Sequence, residues 1–91
     1  MAILHMVSEH LDETSLTHLL QRSSADDGYV FMDDGVYVLL GQGLSRFNGR
    51  STYVMHCHAL ERGLSIADPM TGIDMAELVH LTASYASSMS W

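Results

Sequence analysis

The most reactive-looking residues in the sequence are consecutive: His56, Cys57 and His58. A thiol at the start of a helix beside an imidazolium favours the thiolate, which is the form that attacks sulfur. The same side chains can hold zinc or copper, with His5, His10, His18 and His80 as further ligands if the fold gathers them. Three adjacent residues rarely all point at one ion, however, and the plainest reading is a half-buried cysteine between two solvent-facing histidines. Asp33-Asp34-Gly35 offers paired acids for metal binding or acid–base work, or simply a strand end that caps the next helix, with glycine free to take an unusual backbone angle. Gly41-Gln42-Gly43 lacks the spacing of a dinucleotide fingerprint and reads as a flexible loop. No serine lies in a Gly-x-Ser-x-Gly elbow, so no hydrolase triad is indicated. Trp91, the last residue, is either a fraying end or an aromatic anchor at a subunit interface.

The composition narrows the chemistry further. Ninety-one residues make one domain, 1–91, whose folding buries roughly 60–65% of the unfolded chain's surface. Apolar residues at 47% and charged residues at 16% exclude disorder and leave apolar surface to spare for another protein. Eleven acids face four arginines and there is no lysine, which excludes Schiff-base and P-loop lysine chemistry. A net charge of −7 opposes phosphate backbones, so no direct nucleic-acid contact is expected. Cys57 has no partner for an intrachain disulfide, and no apolar run is long enough to span a bilayer. A cytoplasmic protein with no membrane contact and no resident cofactor is expected.

These residues need elements to position them. Ala2–Val7 is an apolar run suited to a buried strand, and Ser8 can cap a helix carrying the stripe Leu16, Leu19, Leu20 and closing at Arg22. Tyr29–Met32 reads as a second strand, Val36–Leu40 as a short helix with a strand as the alternative, 41–49 as a loop, and Ser51–Met55 as a third strand. Ala59–Arg62 gives one or two helical turns ended by Gly63, and Ser65–Gly72 is a connection. Asp74 and Glu77 open a helix with a start like a capping box, Leu78, Leu81 and Tyr85 share one side of it, and Ser88–Trp91 forms a last short strand. The alternation predicts an α/β fold: a three-layer α/β/α single domain with a mainly parallel sheet of about five short strands. Sites in such folds lie at the carboxyl ends of strands.

In this order the segments resemble the TusB/DsrH family of sulfur-relay subunits. The resemblance runs through Ile3-Leu4-His5, Asp34-Gly35-Val36, Tyr53-Val54-Met55, Leu60-Glu61-Arg62-Gly63-Leu64, Ile73–Val79 and Met89-Ser90-Trp91, nearly the whole chain. It implies an accessory, non-catalytic subunit assembled with TusC/DsrF-like and TusD/DsrE-like homologues in a hetero-oligomer that relays persulfide sulfur between carrier proteins. One branch of the family serves 2-thiolation of the tRNA wobble uridine; the other serves dissimilatory sulfur oxidation. The isolated chain is expected to self-associate or to be poorly stable. The family's sulfur-carrying cysteine belongs to the TusD/DsrE-type subunit, whereas Cys57 stands where TusB-like sequences usually carry an acidic or polar residue. Its position at a strand end is nevertheless similar to the neighbourhood of that active cysteine. Two readings therefore stay open: a scaffold for a partner's thiol, or Cys57 as a persulfide carrier tuned by His56 and His58.

Overall fold

Alternating short apolar runs and helical stripes fold into β1 (Ile3–Val7), α1 (Glu13–Gln21), β2 (Gly28–Phe31), β3 (Ser51–Met55), α2 (His56–Glu61), β4 (Thr71–Ile73), α3 (Met75–Ser84) and β5 (Ser87–Ser90). Two 3-10 helices, Asp33–Leu40 and Gln42–Phe47, link β2 to β3. The computed structural model describes residues 2–91, apart from the side chains of residues 42 and 43. All strand pairs are parallel, and the sheet order is β4-β3-β2-β1-β5. The expected α/β fold with a parallel sheet is therefore present, and every pairing in it is parallel. Among the described residues no helix is long and apolar enough to cross a membrane.

This strand order decides where the helices go. Parallel crossovers are right-handed, so connections that step the same way across a sheet pack on the same face. The steps β1 to β2, β2 to β3 and β3 to β4 all go one way. Their helices share one core, in which Leu16, Leu19, Val36, Val38, Phe47 and Ala59 pack on Val7, Tyr29, Phe31 and Val54. Only the return from β4 to β5 runs the other way. It leaves α3 by itself on the second face, where Leu78 packs over Leu4, Val30, Met55 and Ile73.

Several local expectations change. The α1 cap is Asp12, not Ser8: its carboxylate accepts the Ser15 N–H at 2.8 Å, and this bond holds the carboxyl below its ordinary value. Segment 41–49 is largely helical, because Phe47 is drawn fully into the core and meets Tyr29 and Phe31 edge-on with ring centroids 5.3 and 5.4 Å away. Within the expected connection 65–72, Thr71 and Gly72 begin β4, which pairs with the end of β3. The helix expected from Ala59 starts earlier, at His56, directly after β3. Gly63 does take the left-handed conformation that ends it, with φ of 69°. The capping box at α3 is present in both directions, Glu77 N–H to Asp74 at 2.8 Å and Asp74 N–H to Glu77 at 3.1 Å.

Glycine matters where the backbone is crowded. At Gly35, a Cβ would stand 2.1 Å from the Val7 carbonyl oxygen, so the first 3-10 helix can lie against β1 only without a side chain. At Gly28 a Cβ would meet the Tyr85 hydroxyl at 2.2 Å, because the Tyr85 ring lies across β2. The unusual backbone angle expected at Gly35 belongs to Asp33 instead, with φ of 48°.

Candidate functional site at the carboxyl edge of the sheet

The chain leaves β3 toward one face, into α2, and leaves the neighbouring β4 toward the other, into α3. Adjacent strands that diverge in this way open a crevice at their carboxyl ends, the usual ligand position in an open parallel sheet. Here Met55 pairs with Ile73 at the strand ends, followed at once by His56 on one side and Asp74 on the other. The reactive tripeptide thus occupies the first turn of α2 at the mouth of that crevice. Cys57 is exposed. His56 is exposed and reaches over β4, where a Cβ on Gly72 would be 3.7 Å from its Nδ1.

His58 turns back toward β2. The Asp33 N–H donates to its Nδ1 at 2.9 Å, so the ring's proton lies on Nε2, a tautomer assigned from its partner. The Asp33 carboxylate stands 3.7 Å from the same nitrogen. An ion pair there needs a proton on Nδ1, which the backbone donor opposes, so the shorter hydrogen bond governs. Arg62, the last residue of the α2 turn, donates through Nε and Nη2 to Asp34 at 3.3 and 3.2 Å and through Nη1 to the His58 carbonyl at 3.1 Å. The paired acids therefore tie the first 3-10 helix to α2: Asp34 accepts from Arg62 and the Asp33 backbone holds His58. This is the strand-ending role that such residues also admit in sequence, and it fixes the turn that carries Cys57.

The histidines proposed as distant ligands are not gathered. Among the described residues no three His, Cys, Asp or Glu side chains form a metal-binding group. His10 lies beside Tyr37, with ring centroids 5.4 Å apart, in a cleft of about 180 Å³ lined also by Asp12 and Glu13. His18 and His80 are exposed on α1 and α3.

His5 does something the sequence did not announce. It is 1% exposed in β1, and both of its ring nitrogens are used. The Trp91 indole N–H donates to Nδ1 at 3.0 Å, and an indole can only donate. Nε2 must then carry the proton, which it gives to Asp27 Oδ2 at 2.7 Å. Asp27 also accepts from the Ile3 N–H at 3.0 Å and from the Ser24 N–H and hydroxyl at 3.2 and 3.0 Å. Burial pushes the Asp27 carboxyl up, but His5, Ile3 and Ser24 together outweigh it and bring it from 3.8 down to about 2. The Tyr29 ring stacks on His5 at 5.3 Å, and Arg50 donates to the Tyr29 hydroxyl at 2.9 Å. Trp91, a candidate subunit anchor by sequence, is here half-buried against the chain's own core. A polar residue inside an apolar strand was the available signal, since a buried imidazole needs partners. The partners' positions, one before β2 and one after β5, follow only from the strand order.

The sequence profile of the family described as "DsrH like protein" matches residues 10–88. No curated protein matches the chain. Among solved structures, the solution structure of protein Tm0979 from Thermotoga maritima superimposes with a TM-score of 0.68 at 22% identity, covering 92% of this chain and 93% of that one. At that identity the likeness speaks for the fold, and the profile match over most of the length speaks for the family. The chain belongs to the DsrH-like family of sulfur-relay subunits.

Proposed function

We propose that this chain is an accessory subunit of a cytoplasmic sulfurtransferase complex, holding homologous DsrE/F-like subunits so that a partner's thiol passes persulfide sulfur between carrier proteins for 2-thiolation of the tRNA wobble uridine. The observation that carries this reading is the DsrH-like match across residues 10–88. An acidic chain with a net charge of −7 suits a relay in which sulfur moves from protein to protein before any RNA is touched. The test is to mix the chain with a persulfide-loaded donor, with and without its DsrE/F-like partners, and to read intact masses. Sulfur appearing on the partner cysteine, and only when the subunits are together, is the expected result. A chain that ignores both partners overturns the reading.

A second reading is favoured by one observation, the exposed Cys57 thiol at the mouth of the β3–β4 crevice. In it, the Cys57 thiolate attacks the outer sulfur of a donor persulfide. A new S–S bond forms at Cys57, the donor's S–S bond breaks, and the donor leaves as its thiolate, with no net oxidation. One added sulfur on this chain, lost in Cys57→Ser, supports the carrier role; unchanged relay in that variant excludes an essential one. Service to sulfur oxidation rather than tRNA would show as transfer to carriers of that pathway alone.

A further inference from the structure

Neither reading of the relay uses the buried imidazole of His5. It lies on the α1 face of the sheet, with the Tyr29 ring stacked on it and the Trp91 ring tilted across it at 6.0 Å. Its two nitrogens do opposite things: Nε2–H donates to Asp27 at 2.7 Å, and Nδ1 accepts the Trp91 indole N–H at 3.0 Å. The second bond exists only while Nδ1 keeps its lone pair, that is, while the ring is neutral. Histidine is the side chain whose charge ordinarily changes between about pH 5 and 8.

The surroundings can hold a second proton on this ring. Asp27, in the loop before β2, titrates at about 2 and so carries its charge throughout that range. From β2 comes Tyr29, whose hydroxyl accepts from Arg50 at 2.9 Å and sets that cation beyond its ring. On β5 the uncharged Met89 stands opposite His5. The α1 helix turns Leu16 and Leu19 inward over this face and its His18 outward. Tyr85, which senses the Asp27 charge, is pushed above its ordinary 10 by burial and stays neutral.

We propose that protonation of His5 releases the Trp91 indole, making that side chain a pH-operated latch. With a proton on each nitrogen, His5 keeps Asp27 as a charge-assisted pair and faces the indole N–H with an N–H of its own. Turning the ring over restores nothing, because both nitrogens then carry protons and its carbons accept no hydrogen bond. The indole cannot adapt either, being a donor only. The loss therefore falls on Trp91, which is half-buried and free to swing. Its backbone is held separately: its N–H donates to the Met6 carbonyl at 2.9 Å, and its carbonyl accepts the Ser8 N–H at 3.3 Å. The ring thus leaves while the strand stays paired, and water takes its place as acceptor at Nδ1–H. The released indole emerges near Met89, 44% exposed and two residues before it, so acid enlarges an apolar patch at this edge of the sheet.

Trp91 is the only tryptophan, so the indole N–H of the full chain gives a single resonance. The test follows that resonance and the His5 ring signals together by NMR from about pH 8 to 5. The expected result is one shared titration curve: as the His5 ring gains its proton, the indole N–H moves to a solvent-exposed position and exchanges faster. The backbone signals of β1 and β2 should remain those of the folded chain. Trp91→Phe removes the donor but keeps a ring, and reads the same coupling in reverse. With no bond to lose at Nδ1, its His5 should take the proton at a pH higher by on the order of one unit, a tenfold gain in proton affinity. An indole bond that survives on protonated His5, an indole released on a curve that is not that of His5, a ring still neutral at the acid end, or no shift in Trp91→Phe overturns the proposal. None of these results bears on sulfur transfer, which the mass measurement reads separately.

Discussion

Asp27→Asn is the substitution that most directly probes the buried network. The carboxylate accepts four hydrogen bonds, two on each oxygen: Ile3 N–H and the Ser24 hydroxyl on Oδ1, His5 Nε2–H and Ser24 N–H on Oδ2. An amide of the same shape must aim its NH₂ at one of these pairs, whichever way it is turned. One orientation faces the Ile3 N–H, and the other faces both His5 and the Ser24 N–H. At least one buried donor is thereby orphaned, and the charge that strengthened the remaining bonds is gone, for a cost of about 2–4 kcal/mol at neutral pH. The pH dependence is a second, independent signature. The carboxyl titrates at about 2 in the folded chain against an ordinary 3.8, so between those values the unfolded chain binds the proton first. Stability from this group is therefore complete above about pH 4 and is lost as the pH falls through about 2, a change of roughly 2 kcal/mol. Urea denaturation followed by far-ultraviolet circular dichroism at pH 7, 5 and 3, at one protein concentration, reads both effects. The wild type should lose stability on acidification, and the gap to Asp27→Asn should narrow. A variant within about 0.5 kcal/mol of the wild type at pH 7, or one that keeps the full acid slope, would refute the network's role.

Trp91→Phe removes the 3.0 Å donor to His5 while keeping an aromatic ring, and should cost about 1 kcal/mol for the orphaned Nδ1. Hydrogen exchange across Ser87–Ser90 should quicken in that variant, and unchanged exchange would show that β5 holds without the indole. Gly28→Ala should cost about 1–3 kcal/mol, since the Tyr85 side chain can swing away, whereas Gly35→Ala meets the Val7 backbone and should cost at least the upper end of that range. Equal melting shifts for the two would count against the reasoning. Phe47→Ala should cost about 3–5 kcal/mol and unfold the second 3-10 helix, which limited proteolysis in 41–49 would detect.

Local patterns were legible wherever neighbouring residues decide the outcome. Asp74 and Glu77 announce the α3 cap, Gly63 the end of α2, and Ser51–Met55 a strand with the bounds it has in the structure. The α1 cap was misread between two nearby candidates, Ser8 and Asp12, whereas two larger misreadings share a cause, in that a distant partner overrides the local signal. Thr71–Ile73 is too short to read as a strand and becomes one because β3 offers its edge. The residues from Gln42 to Phe47 look like a glycine-rich loop until Tyr29 and Phe31 claim Phe47. For the site, residue types pointed to the tripeptide and to strand ends, but the divergence of α2 and α3 around Cys57 depends on the strand order. The likeness to a family reached further than any single motif because it drew on that order across the whole chain.

The placement of β1 also governs the sequence of folding events. Its contacts with β2 close a modest loop, as do those of β2 with β3 and β3 with β4. On its other edge Ile3 pairs with Ser87, across almost the full length of the chain, where closure costs most and contact order is highest. The expected order is therefore a four-stranded intermediate in which β1, an interior strand of the finished sheet, is still an edge, apolar and unpaired on that side, until the serine-rich strand arrives. Pulsed hydrogen-exchange labelling should find β5 protected last. Whatever delays that strand, including loss of the indole that pins it to His5, prolongs the period in which β1 can template pairing with another chain.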